Sequence, residues 1–241
     1  MKVIRKLFVL LLVAMLTACA APKLTQQQAA SIKSVGIVSL LPQELKYRKI
    51  GITVFNNEFK SLPVAGDALN VHARLSAEQY LRQSGKYQVK QILVSDATAM
   101  AARLNARTLV ISQNVERIDK ELAEMAKANN VDAVIVIAEN FDAERGIFGV
   151  TMALRAGLGD IRAAAAMAGI QVAGVTASKE IFMSSYPNPG MGAVVVRPDN
   201  KPWSYKLEEN LDEATHQKII RALLPDIAGM IDSAMTGAGM Y

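Results

Sequence analysis

The sequence predicts an α/β fold: a mixed sheet of about five to seven strands with flanking helices and a C-terminal helix broken or kinked at Pro225. Three observations carry that expectation. Stretches patterned as strands and as helices alternate through residues 34–139, which is how layered sheet-and-helix folds read. Val131, Ala133, Val134, Ile135, Val136, Ile137 and Ala138 make a nearly continuous apolar run, expected of a strand covered on both faces. Hydrophobic residues form 51% of the 241-residue chain but aromatics only 5%, so the core must be aliphatic. That length suits one sizeable domain.

Residues 34–41, with Val35, Ile37, Val38, Leu40 and Leu41 stopped by Pro42, predict a buried first strand. Residues 50–55 alternate around Thr53 and predict a second, joined to the first as a hairpin through a polar turn at 43–49. Residues 67–84 lack breakers and end at Gly85, a helix with a left-handed cap. A third strand is expected at 87–94, after which Ser95 or Asp96 caps a helix running to about Leu104. A short strand is expected at 108–111. Val115, Ile118, Leu122, Met125 and Asn129 then recur at spacings of three and four, with Glu116, Lys120, Arg117 and Glu121 on the other side, which predicts an amphipathic helix.

Residues 148–158 alternate as a one-faced strand, the alanine-rich 161–167 reads as a helical turn or two, and 170–183 reads as further β structure. Whether 141–192 is a hairpin, a crossover or a separate subdomain stays open. Pro187, Pro189 and Gly190 break the chain. Asp212 and Glu213 open the last helix at the end its dipole favours. Ile219, Ile220, Leu223, Leu224, Ile227, Met230 and Ile231 give it an apolar face, which Pro225 should interrupt.

The first residues have a different character. Lys2, Arg5 and Lys6 precede an apolar run at 7–16 and then small residues, the layout of a secretory signal peptide. Ten helical residues rise about 15 Å, roughly half the hydrocarbon thickness, so this run is too short to span. Leu16, Thr17, Ala18 and Cys19 resemble the lipobox of the bacterial lipoprotein family. The resemblance implies cleavage between Ala18 and Cys19, a diacylglyceryl thioether on the Cys19 sulfur and acylation of the new amino group. Ala20, where retention in the inner membrane would call for Asp, implies the outer membrane with the body facing the periplasm. The expected organisation is a signal peptide at 1–18, a lipidated flexible tether at 19–33 containing Pro22, Gln26, Gln27 and Gln28, and a single periplasmic α/β domain at 34–241. In pattern, the mature part also resembles the α/β domains of small periplasmic lipoproteins, among them the curli secretion lipoprotein and the amino-terminal domain of the Tol system's propeller protein.

The formal charge of +5 falls to +2 once the three cations of the leader are removed, too little to argue for nucleic acid. Cys19 has no second cysteine to pair with, so stability must come from packing and the lone sulfur from acylation. After Leu16 no apolar run reaches the roughly 20 residues of a transmembrane helix.

Chemistry-bearing patterns are sparse. His72 and His216 lie on apolar helix faces with no ligand at metal spacing, and each reads as a packing or surface residue. No Gly-x-Ser-x-Gly elbow, Ser-x-x-Lys pair or phosphate loop occurs, so no catalytic, cofactor or metal residue is expected. Asp96 and Glu139, with Asn140 and Asp142, would line a ligand pocket if they met beyond the carboxyl ends of a partly parallel sheet. Trp203 reads as the cover of a core edge, or else as an anchor for a partner. The expected function is a non-enzymatic binding or scaffold module of the cell envelope, held at a membrane through Cys19 and working with an envelope protein. The alternatives are an oligomeric outer-membrane export component that inserts 146–158 and 170–183 as a β-hairpin, and a hydrolase acting on wall or lipid material.

Overall fold

The computed structural model describes residues 25–106, 113–142, 147–185 and 192–241. The lipobox at Leu16–Cys19, the expected strand at 108–111 and the breaker prolines Pro187 and Pro189 lie outside the described residues. Residues 26–31, expected within the tether, form a short helix α1 (Gln26–Ser31). Thr25 and Gln28 close it with reciprocal side-chain bonds, a capping box. Ile32 then enters the main core.

Two sheets stand where one was expected. Sheet A has the order β11 (Ile181–Ser185), β10 (Ile170–Thr176), β5 (Ala133–Glu139), β1 (Ser34–Leu40), β4 (Gln88–Gln91). β1 runs parallel to β4 and β5, and β10 antiparallel to β5 and β11. Both faces are covered, as the apolar run of β5 requires. Val38, Leu40, Val134, Val136 and Ala138 pack with α3 (Ala97–Ala106) and α4 (Gln113–Ala128). Val35, Ile37, Ile135 and Ile137 share the larger core with α2 (Ala68–Gln83) and α5 (Glu213–Gly237).

Sheet B has the order β12 (Ala193–Val194), β9 (Ile161–Ala168), β8 (Val150–Ala156), β2 (Glu44–Ile50), β3 (Glu58–Pro63). Its inner face, with Leu45, Tyr47, Met152, Leu154, Ala164 and Ala166, closes the same core from the other side. Three expectations are corrected here. The polar turn at 43–49 is β2 itself, and 50–55 holds a bend and a single 3₁₀ turn at Val54–Asn56. β1 and β2 belong to different sheets, so the first hairpin does not form. The alanine run is β9, paired with β8 through Met152↔Ala166 and Leu154↔Ala164, because ladder bonds and burial outweigh alanine's intrinsic helix preference of a few tenths of a kcal/mol per residue.

The region at 141–192 also resolves. β8 and β9 form a hairpin in sheet B, and the chain then crosses at Gly169 into β10 of sheet A. The segments at 146–158 and 170–183 therefore do not pair with each other, and β8 and β10 are largely buried. α5 is one continuous 25-residue helix through Pro225 rather than two pieces. Asp212 caps its start by accepting from Thr215 N at 2.7 Å, and its buried stripe holds it against α2 and sheet B. Among the described residues no helix is long and apolar enough to cross a membrane.

Candidate binding groove

The sheets meet at a knot of main chain. Asn140 N donates to Gly169 O, Gly169 N to Gly149 O, and Gly149 N to Asn140 O, each at 2.9 Å. Gly149 sits at φ +72°, and a Cβ there would strike the Glu139 carboxylate and the Phe141 ring, so two requirements exclude a side chain. The knot fixes the paired strands β6 (Phe141–Asp142) and β7 (Ile147–Phe148) above the outer face of sheet B. It also aims Glu139 at that face, where its Oε1 accepts from Val150 N at 2.9 Å and its Oε2 meets Lys46 Nζ at 3.1 Å.

Strand alternation supplies the rest. β2 sends Leu45, Tyr47 and Lys49 inward and leaves Lys46 and Arg48 on the other side, where β3 places Ser61 opposite Lys46 and Phe59 opposite Arg48. With Phe141 and Phe148 these side chains bound an open groove of about 490 Å³. The Arg48 guanidinium lies 3.6 Å over the Phe148 ring and 5.7 Å from that of Phe59. Lys46 Nζ stands 4.8 Å from the Phe141 ring. Cations over aromatic faces gain about 0.5–2 kcal/mol, more as water is excluded. Burial lowers the Arg48 pKa from its ordinary value, although an arginine stays charged in a protein.

The inward residues brace the groove from below. Lys49, 2% exposed, pairs with Glu58, donates to Tyr205 O at 3.0 Å and lies 4.2 Å from the Tyr205 ring. The bond from Lys49 holds the Glu58 carboxyl below its usual range, against burial, with help from Leu207 N. The Tyr47 hydroxyl meets His216 Nδ1, and His216 Nε2 lies 2.9 Å from Pro63 O. A carbonyl only accepts, so the Nε2 proton points to Pro63 O and Nδ1 is the ring atom left to the Tyr47 hydroxyl. Burial, with the Glu213 and Asp212 charges, raises the Tyr47 pKa.

The residues singled out from sequence fall elsewhere. Asp96 accepts from Ala99 N at 2.9 Å as the cap of α3 and among the described residues shares no partner with Glu139, which faces Lys46. The Asp142 side chain lies outside the described residues. His72 Nε2 is 2.9 Å from Leu224 O, between α2 and α5. Trp203 packs on the core edge and donates to Val195 O at 3.2 Å. Among the described residues no three His, Cys, Asp or Glu side chains stand close enough to hold a metal. The groove itself was missed because β2 reads as a turn. Its one signal in the sequence is the alternation of Leu45, Tyr47 and Lys49 with Lys46 and Arg48.

No protein-family model matches this chain, and no curated protein matches it. Among solved structures it is similar to the hypothetical protein CT253 from Chlamydia trachomatis, at 12% identity and a TM-score of 0.31, covering 83% of this chain and 98% of that one. Function must therefore be argued from this molecule's own residues.

Proposed function

We propose that the chain is a lipid-anchored lipoprotein of the bacterial envelope that acts as a binding module, held at the periplasmic face of the outer membrane through Cys19 and engaging a protein partner through the groove on sheet B. The observation that carries the anchoring is the order of residues at the start: Lys2, Arg5 and Lys6, the apolar run, then Leu16, Thr17, Ala18 and Cys19. One acyl chain anchors only marginally, at roughly 0.8 kcal/mol per buried methylene, and several chains hold firmly.

Support for binding rather than catalysis comes from the groove's composition. It offers cations and aromatic faces, the groups that recognise a partner, and the carboxylate beside it, Glu139, is tied to Lys46 and Val150 N. The test is intact-mass measurement of the processed protein together with fractionation of a Cys19→Ser variant. The reading expects the mass of a triacylated chain starting at Cys19 and release of the variant from the membrane fraction. An unmodified thiol, or a variant that fractionates unchanged, would refute the anchoring.

A further inference from the structure

We propose that the groove takes an acidic, extended segment of a partner protein, laid beside β3 with a carboxylate on Arg48 and with Lys60 adding positive charge from the other face of the same edge, at the end of the molecule turned away from the anchoring membrane. This rests on the reading of the chain as a tethered binding module, and it adds the chemistry and direction of the partner.

The first observation is an open sheet edge. Among the described residues β3 pairs only with β2, and Phe59, Lys60 and Ser61 are exposed. A strand with one unpaired edge is a template for an added strand, the partner's main chain supplying affinity and alternate side chains specificity. The neighbouring turn is apolar and unprotected, with Val54 76% and Phe55 92% exposed.

The second observation is unbalanced charge. Lys46 is matched by Glu139 and Lys49 by Glu58, whereas neither Arg48 nor Lys60 has a carboxylate partner among the described residues. A guanidinium held between two rings has lost water without gaining an anion, and its flat fork suits a carboxylate.

The third observation sets direction. The groove lies at Glu139, the carboxyl end of β5, and β5 is parallel to β1. α1 and Ile32, the root of the tether, precede the opposite end of β1. Seven strand residues span about 23 Å, while the six links from Cys19 to Thr25 reach at most about 20 Å. A body anchored through that root turns the groove toward the periplasm rather than to its own bilayer.

The test uses the mature protein, full length, and measures fluorescence anisotropy of a labelled nine-residue peptide alternating Glu with Val, its Lys-for-Glu counterpart, and the acidic peptide N-methylated at alternate residues. Flotation with phosphatidylglycerol vesicles tests the membrane instead, and sedimentation tests self-association. The proposal expects saturable binding of the acidic peptide alone, weakened about tenfold by Arg48→Glu and less by Lys60→Glu, exposed on the other face of the edge. N-methylation should abolish binding. Equal binding of both peptides, indifference to both charge reversals, vesicle binding that Arg48→Glu removes, or a dimer closed through β3 would overturn it. Loss of the anchor with peptide binding intact would refute only the tethering, and a triacylated protein that ignores the peptide would refute only the groove.

Discussion

At the scale of single residues, polar groups under sheet B tie two strands and a helix together inside the core. Tyr47, His216 and Pro63 O form a buried chain from β2 through α5 to β3, and each member consumes the hydrogen-bonding capacity of the next. Tyr47→Phe keeps the packed ring but removes the hydroxyl that meets His216 Nδ1, leaving that buried ring nitrogen without its partner. Such a group costs about 1–3 kcal/mol. The expected outcome is a loss of stability of that size in urea titration with an unchanged slope. Unchanged stability would mean that water replaces the hydroxyl. Asn70 binds in the same manner on the other side, accepting from Ser39 Oγ and Leu41 N and donating to Leu41 O. It ties the first turn of α2 to the end of β1.

At the scale of elements, α5 shows packing overruling local preference. Pro225 removes the N–H that would reach the Arg221 carbonyl and crowds the turn before it, which costs about 3 kcal/mol in a helix interior. The helix stays continuous because Ile219, Ile220, Leu223, Ile227 and Ile231 are buried on both sides of the proline. Pro225→Ala should then stabilise the protein by about 2 kcal/mol, less than the full penalty because proline also narrows the unfolded ensemble. A rise in Tm checks it, and a fall would show that the proline shapes the contact with α2. The same contest decides what could be read beforehand. α2, with its end at Gly85, β5 and the opening of α5 at Asp212 were legible because a single local pattern agrees with the fold there. β2 was hidden because Lys46, Arg48 and Lys49 mask the alternation of Leu45 and Tyr47. β9 was hidden because alanine favours helix until a neighbouring strand and a covering helix are in place. The groove depends on hidden β2 and on the knot joining Asn140, Gly149 and Gly169, residues far apart in sequence, so beyond the masked alternation in β2 none of it could be read beforehand.

At the scale of the whole molecule, carboxylates staple segments that are far apart in the chain. Asp132 accepts from Lys33 N and Ser34 N at 2.8 Å and from Ser34 Oγ at 2.9 Å. Burial works against its charge, but those three bonds leave its pKa below the ordinary 3.8. The bond from Lys49 keeps Glu58 below 4.5, and the bond from Thr215 N keeps Asp212 below 3.8. A carboxyl whose folded value is depressed adds stability that is complete above its unfolded value and lost as pH falls through the folded one. Asp226 and Asp232 act oppositely, because burial on α5 raises both, so protonating them on acidification relieves a cost. Each lowered group joins two segments, whereas the raised pair answers only to its own desolvation, so loss should exceed relief. Stability in urea should therefore hold from pH 7 to about 4.5 and fall progressively below it. Asp132→Asn should flatten part of that fall, since the amide oxygen still accepts but no longer titrates. A stability that rises steadily as pH falls from 4.5 to 3 would show instead that the raised acids of α5 govern the molecule.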